Sequence, residues 1–335
     1  MGSKFFAAIS NPPYQGEASG ASTYMSQVYP LFMDTMYDLA DKSEVNTPAR
    51  YLFDAGGTPK KWNEERLTDP HFKVLKYSAD NREVFPNVDI KGGVAVSYRD
   101  RNQDFGCVQV FIPDKRLRNI WKKVVTYPTF SGIDHIAYSR GSYLLSENGK
   151  SEAGLPLSRR QILATNIFEV APSLFKQTKS EVDEEACGIV GLLHGKRRRL
   201  WTKSRNISGP NNYRKWKVFV PKANGCGALG ERIATPLIGH TETFISIGCF
   251  DTKEEAAACL KYIKSKFARC LLGVKKITQD CTPQKWIYVP IQDFTTGSDI
   301  DWTQGVAEID HQLYAKYGLE DEEVSFIEEK VKAME

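Results

Sequence analysis

Histidine is scarce in this chain, five in 335 residues, and the five are scattered. The seven cysteines form no Cys-x-x-Cys pair, and their number is odd. Zinc-ligand spacing is therefore missing, and so is a paired disulfide framework. Reduced thiols and a cytoplasmic location are the expectation. No apolar run approaches the ~20 residues of a membrane span, and the opening residues lack the pattern of a secretory signal. No Ser/His/Asp or Cys/His arrangement offers a nucleophile with its base. No well-placed Asp…Glu-x-Lys cluster offers a nuclease metal site. Neither charge sign dominates, since the net charge is only +4.

What is present fits a soluble globular chain: 41% hydrophobic and 26% charged, long enough for one large or two ordinary domains. The most informative stretch lies near its start. Phe5-Phe6-Ala7-Ala8-Ile9-Ser10 is short and apolar, and reads as a buried strand. Asn11-Pro12-Pro13-Tyr14 follows. Two successive prolines have no N–H to give a sheet ladder, so they stiffen the chain just past the strand end. In an open α/β sheet that is where ligands bind. Asn11 offers an amide acceptor and donor, and Tyr14 a flat aromatic face.

Helical spacing over residues 24–40 is interrupted by Pro30, which implies a kink or a late start. The strand expected next, residues 45–53, is short or frayed because polar residues precede it. Asp54-Ala55-Gly56-Gly57-Thr58-Pro59 reads as a loop leading to a helix around Trp62–Leu67; two adjacent glycines alone are a weak nucleotide signal. Strands are expected over residues 72–77 and 92–98. Beyond about residue 103 the pattern changes to short apolar runs broken by Gly, Pro, Ser and Asn, as in a mixed domain with long loops. Domains at 1–103 and 104–335 follow.

Within the second domain lie Lys196, Arg197, Arg198, Arg199, Lys203, Arg205, Arg214, Lys215, Lys217 and Lys222. The window contains no acidic residue, and Trp201, Tyr213 and Trp216 are interleaved. Such a patch attracts phosphates in a salt-dependent way, and arginine also reads guanine edges. These ten are the candidate DNA-binding residues. The Gly- and Asn-rich segment 221–230 offers backbone amides to a phosphate. Residues 244–250 read as a strand, and Thr252-Lys253-Glu254-Glu255 as a capping box opening one helix to about Gly273. A last strand at 286–291 and two short helices at 309–317 and 321–334 complete the pattern.

Asn11-Pro12-Pro13-Tyr14 resembles the catalytic motif of methyltransferases that modify adenine N6 in DNA. The resemblance extends through Thr47-Pro48-Ala49-Arg50, the Gly92-Gly93-Val94 strand, the basic segment and the Val-Pro-Ile-Gln-Asp-Phe and Tyr-Gly-Leu stretches. That order is similar to the C-terminal part of restriction–modification adenine methyltransferases. It implies an α/β fold, a partial Rossmann-like methyltransferase sheet followed by an α+β target-recognition domain. It also implies S-adenosylmethionine as methyl donor, double-stranded DNA as partner and a flipped adenine as target. By the resemblance, Asn11 and the Pro12 carbonyl hold the adenine amino group, Pro13 stiffens the motif, Tyr14 stacks on the base, and Phe85 lies beside it. The family places a Phe-x-Gly-x-Gly type cofactor loop before this motif, which has no counterpart here. The cofactor site is therefore expected to be incomplete in this chain, with a second polypeptide completing it. The alternatives are a catalytically incomplete DNA-binding specificity subunit or truncated remnant, and, third, a restriction endonuclease. No membrane partner is expected.

Overall fold

A computed structural model describes residues 5–16, 26–54, 57–85, 90, 92–222, 232–276 and 280–334. The chain divides into two compact units, Met1–Pro113 and Asp114–Glu335.

The first unit is built on a four-stranded sheet. Its strands are β1 (Phe5–Ser10), β2 (Ala40–Pro48), β3 (Phe72–Ser78) and β4 (Val94–Asp100), in the order β1-β2-β4-β3. β1 runs parallel to β2, while β4 is antiparallel to both β2 and β3. A parallel connection needs a crossover, and helix α1 (Tyr29–Leu39) supplies it. Pro30 sits in the first turn of α1, where its missing N–H costs nothing, so the helix starts late and is not kinked.

Two expectations are corrected here. β1 is a strand, but an edge strand with its apolar side chains in solvent: Phe5, Phe6 and Ile9 are 58%, 73% and 82% exposed. The next strand is neither short nor frayed. β2 covers nine residues in mid-sheet, and residues Ala49–Phe53 form a 3-10 helix. Its polar side chains are absorbed by the fold: Ser43 and Thr47 are buried, and the Ser43 hydroxyl donates to the Met36 carbonyl. Helix α2 (Lys60–Thr68) follows a loop whose polar groups bond to one another. Thr58 donates to Asn63 at 2.6 Å and Asn63 to Asp54 at 3.1 Å.

The second unit is mixed α/β with several sheets. It opens with α3 (Lys115–Val125), followed by the short β5 (Ala137–Tyr138), β6 (Leu144–Leu145), α4 (Glu147–Glu152) and α5 (Ile167–Val170). A long hairpin comes next, β7 (Ala186–Leu193) and β8 (Lys196–Lys203), then β9 (Ile207–Ser208), β10 (Trp216–Pro221), β11 (Arg232–Ala234), β12 (Ile238–His240) and β13 (Phe244–Phe250). One sheet has the order β11-β10-β13-β5, another β12-β7-β8, and β6 pairs with β9. Four helices close the chain: α6 (Lys253–Lys264), α7 (Lys266–Lys275), α8 (Val306–Lys316) and α9 (Asp321–Lys330). They enclose a core that includes Trp286, Tyr262, Phe267 and Ile327.

The helix expected to run unbroken to about Gly273 is two. Ser265 ends α6, and its hydroxyl accepts from Ala268 N to start α7. The buried Asp310 carboxylate accepts from the Lys266 and Phe267 amides at 2.9 and 2.8 Å. A partner 43 residues along the chain thus satisfies the new N-terminus. The strand expected at 286–291 is absent. Pro283–Trp286 form a 3-10 turn, and only Pro290 makes an isolated bridge, to Gly132.

Candidate active site and basic surface

The Asn11-Pro12-Pro13-Tyr14 turn follows directly on β1. Its far side is pinned by backbone pairing: Val28 N donates to the Tyr14 carbonyl at 3.2 Å, and Gly16 N to the Ser26 carbonyl at 2.9 Å. The chain therefore doubles back onto the motif before entering α1. Asn11 and Pro13 are exposed, Pro12 is buried and Tyr14 is half-buried. The Tyr14 hydroxyl donates to Asn11 Oδ1 at 2.9 Å. Burial pushes the Tyr14 phenol pKa upward, so it stays a neutral donor at ordinary pH.

Phe85, 71 positions away, meets this turn. Its ring lies 6.4 Å from that of Tyr14 at 76°, an edge-to-face contact. The residue that places it, Asn81, does not stand out in the sequence. Asn81 is buried and accepts from the amides of Val84 and Phe85 through its carbonyl, at 2.9 and 2.7 Å. Its side-chain oxygen accepts from Ile90 N at 3.0 Å. Only the preference of Asn for turns signals such a role. The rest of the segment beside Phe85, residues 86–89 and 91, lies outside the described residues.

A small aromatic corner thus stands beside an exposed amide. A carboxamide oxygen has two acceptor positions, and Tyr14 occupies one of them. The other can receive an N–H from a flat, amino-bearing ring resting against Tyr14. Asn11, Tyr14 and Phe85 include no acid or base of ordinary strength, so the corner favours orientation over proton transfer.

The described residues of the first unit fit S-adenosylmethionine poorly. In the loop before α2, Asp54, Thr58 and Asn63 are hydrogen-bonded to one another, and Gly56 of that loop lies outside the described residues. No group of three or more His, Cys, Asp or Glu among the described residues could hold a metal ion.

The ten basic residues of the second unit do not stand together as one free patch. Lys196, Arg197, Arg198 and Arg199 lie at the exposed end of β8. Among the described residues Lys196, Arg198 and Arg199 form no ion pair, and the Arg197 guanidinium lies 4.9 Å over the Phe244 ring. Five of the others pair with acids brought in from outside the window. Lys203 meets Glu152, Asp183 and Glu184, and Arg205 meets Glu184. Arg214 forks onto Glu185, Lys215 meets Asp251, and Lys222 lies 3.9 Å from Asp280. Lys217 is fully buried and donates to the carbonyls of Tyr213, Lys215 and Thr235 at 3.2, 2.8 and 3.3 Å. Burial pushes its pKa down to about 7. Segment 223–230 lies outside the described residues.

Residues 1–85 match the family model described as Eco57I restriction-modification methylase. Over that stretch the chain is similar to restriction–modification methylases, and the matched residues include the Asn11–Tyr14 turn and Phe85. No curated protein matches the chain. Among solved structures it is similar to the type IIG restriction endonuclease BpuSI, with 11% identity over 96% of this chain and 52% of that one, at a TM-score of 0.32. The chain spans about half the length of that protein, and a likeness of this size does not define the fold. No helix among the described residues is long and apolar enough to cross a membrane.

Proposed function

We propose that the chain carries the base-handling part of a DNA adenine-N6 methyltransferase of a restriction–modification system. The observation that supports this most directly is the meeting of Asn11, Tyr14 and Phe85, drawn from two ends of the matched region. In this reading an adenine leaves the duplex and rests on Tyr14, with its edge toward Phe85. Its amino group donates to Asn11 Oδ1 and to the Pro12 carbonyl. Two acceptors on one amino group raise electron density on the nitrogen and fix its direction. Pro12 and Pro13 keep that carbonyl from turning away. The second unit binds double-stranded DNA, with the exposed end of β8 as its first contact.

The methyl donor of such a reaction is S-adenosylmethionine, and the described residues do not assemble its cradle. A second polypeptide segment docking along β1 completes it in this reading. An edge strand with large apolar side chains exposed on both faces offers a pairing surface, and β1 shows Phe5 and Ile9 to solvent on one face and Phe6 on the other. Leu31 on α1 adds further exposed apolar surface. A DNA-binding specificity subunit without its own catalysis is the second reading, favoured by the self-bonded loop at Asp54, Thr58 and Asn63.

The test needs no cofactor. A pool of duplexes with randomised flanks and one unpaired adenine is compared with the same pool fully paired. Extruding an unpaired base costs less, so the unpaired pool binds more tightly. Equal binding of the two pools overturns the adenine-pocket reading.

A further inference from the structure

A cleft of about 370 Å³ opens in the second unit. Arg140, Arg160 and Lys222 line it from three separate stretches of chain. Arg140 is exposed and forms no ion pair or hydrogen bond among the described residues. Arg160 donates to the Gly141 carbonyl at 3.1 Å, which steadies its guanidinium at the rim. The lining acid, Glu242, is already engaged: one carboxylate oxygen accepts from both the amide and the hydroxyl of Thr165 at 3.1 Å. Asp280 reaches Lys222 only at 3.9 Å and is itself largely in solvent. The cleft therefore keeps a positive balance. Ile162, Ile245 and Pro283 give it an apolar floor. Glu242 also ties it to the basic hairpin, since Phe244, two residues on, carries the Arg197 guanidinium on its ring.

Cations at the rim over an apolar floor suit a group that is anionic at one end and flat and apolar at the other. We infer that this cleft holds one backbone phosphate of the bound DNA, with the adjoining nucleoside against the floor. The inference rests on the DNA-binding reading of the second unit and adds a site to it. Arg140 and Arg160 lie outside the basic window, so composition gives no hint of them. Arginine forks onto phosphate oxygens, and Lys222 adds a point charge.

The experiment measures duplex affinity of the full chain across salt concentrations, for the wild type and two triple variants of equal charge change. One is Arg140→Gln, Arg160→Gln, Lys222→Gln. The other, Lys115→Gln, Lys253→Gln, Lys330→Gln, removes exposed charges elsewhere on the unit. Thermal melting confirms that both fold. Removing the grip on one phosphate lowers the slope of log K against log salt by roughly 0.9, in the cleft variant only. Equal slopes for the two variants overturn the cleft while leaving DNA binding intact. Failure of the wild type to bind any duplex overturns the DNA-binding reading and the cleft with it. Calorimetry with a mononucleotide separates the two sources of phosphate: binding as tight as that of duplex makes this a free-nucleotide site and overturns the DNA assignment.

Discussion

The Tyr14 side chain does two separable things, and two substitutions pull them apart. Its ring is the stacking face, and its hydroxyl occupies one acceptor position of Asn11 Oδ1 at 2.9 Å. Tyr14→Ala removes both. Stacking of a base on an aromatic ring contributes ~1–3 kcal/mol, so binding of an unpaired adenine should weaken ~5–150-fold. Fully paired duplex, which keeps its bases stacked inside, should be bound as before. Tyr14→Phe keeps the ring and its edge-to-face partner Phe85, and removes only the hydroxyl. A single neutral hydrogen bond contributes about 0.5–1.5 kcal/mol net, here to the conformation of an exposed turn. With that bond gone, both acceptor positions of Asn11 are open to the incoming amino group. Tyr14→Phe should therefore bind the unpaired pool as tightly as the wild type, or a few-fold more tightly. Fluorescence anisotropy with the paired and unpaired pools at one salt concentration gives both ratios. The reasoning is refuted if Tyr14→Ala leaves the preference for the unpaired adenine intact, or if Tyr14→Phe loses as much as Tyr14→Ala.

Asn11→Ala should abolish methyl transfer, measured with whatever polypeptide completes the cofactor site, while duplex affinity stays within about twofold. Replacing Arg198 and Arg199 by Gln should do the reverse, weakening duplex binding and lowering its salt slope by roughly 0.9 for each phosphate no longer neutralised. Burial pushes the Asp310 carboxyl up to about 6, above its ordinary value. The folded state thus binds this proton more tightly than the unfolded chain. Its contribution to stability is full below the ordinary carboxylate range and falls as pH rises toward 6. Denaturant melts of Asp310→Asn should lose that slope between about pH 4 and 6. Gly93 has φ +78°, and a Cβ there would stand 2.2 Å from the Ser78 carbonyl oxygen. Gly93→Ala should cost roughly 1–3 kcal/mol from the backbone conformation alone, read by chemical denaturation, and more if Ser78 cannot yield.

Some of this is legible in the sequence because the signal is local. The apolar run at Phe5 and the double proline after it give a strand and its stop without outside help. So does Pro30, whose ring belongs in a first helical turn. What is hidden depends on distant partners. β2 looks too polar for mid-sheet because Ser43 and Thr47 are buried by neighbours that the sequence does not announce. The basic window looks unopposed because its acids, Glu152, Asp183, Glu184, Glu185, Asp251 and Asp280, lie outside it. Ser265 is unremarkable inside a helical pattern until Asp310 arrives to cap the second half. Resemblance places Phe85 near Tyr14, but Asn81, which fixes its backbone, leaves no trace in composition or spacing. Local rules write the elements, and tertiary pairing decides which charged and polar groups remain available.

The edge strand β1 also governs how the chain must be handled. Phe5-Phe6-Ala7-Ala8-Ile9-Ser10 carries no charge, no proline and no bulge, the features by which natural edges discourage pairing with strangers. Two copies meeting at this edge bury the same apolar side chains that the proposed second segment would cover. Which encounter comes first is set by relative concentration and by the order of synthesis. High-level expression of this chain by itself would favour clumping. A single lysine in place of Phe6 would act as a gatekeeper, trading docking strength for material that stays in solution long enough to study.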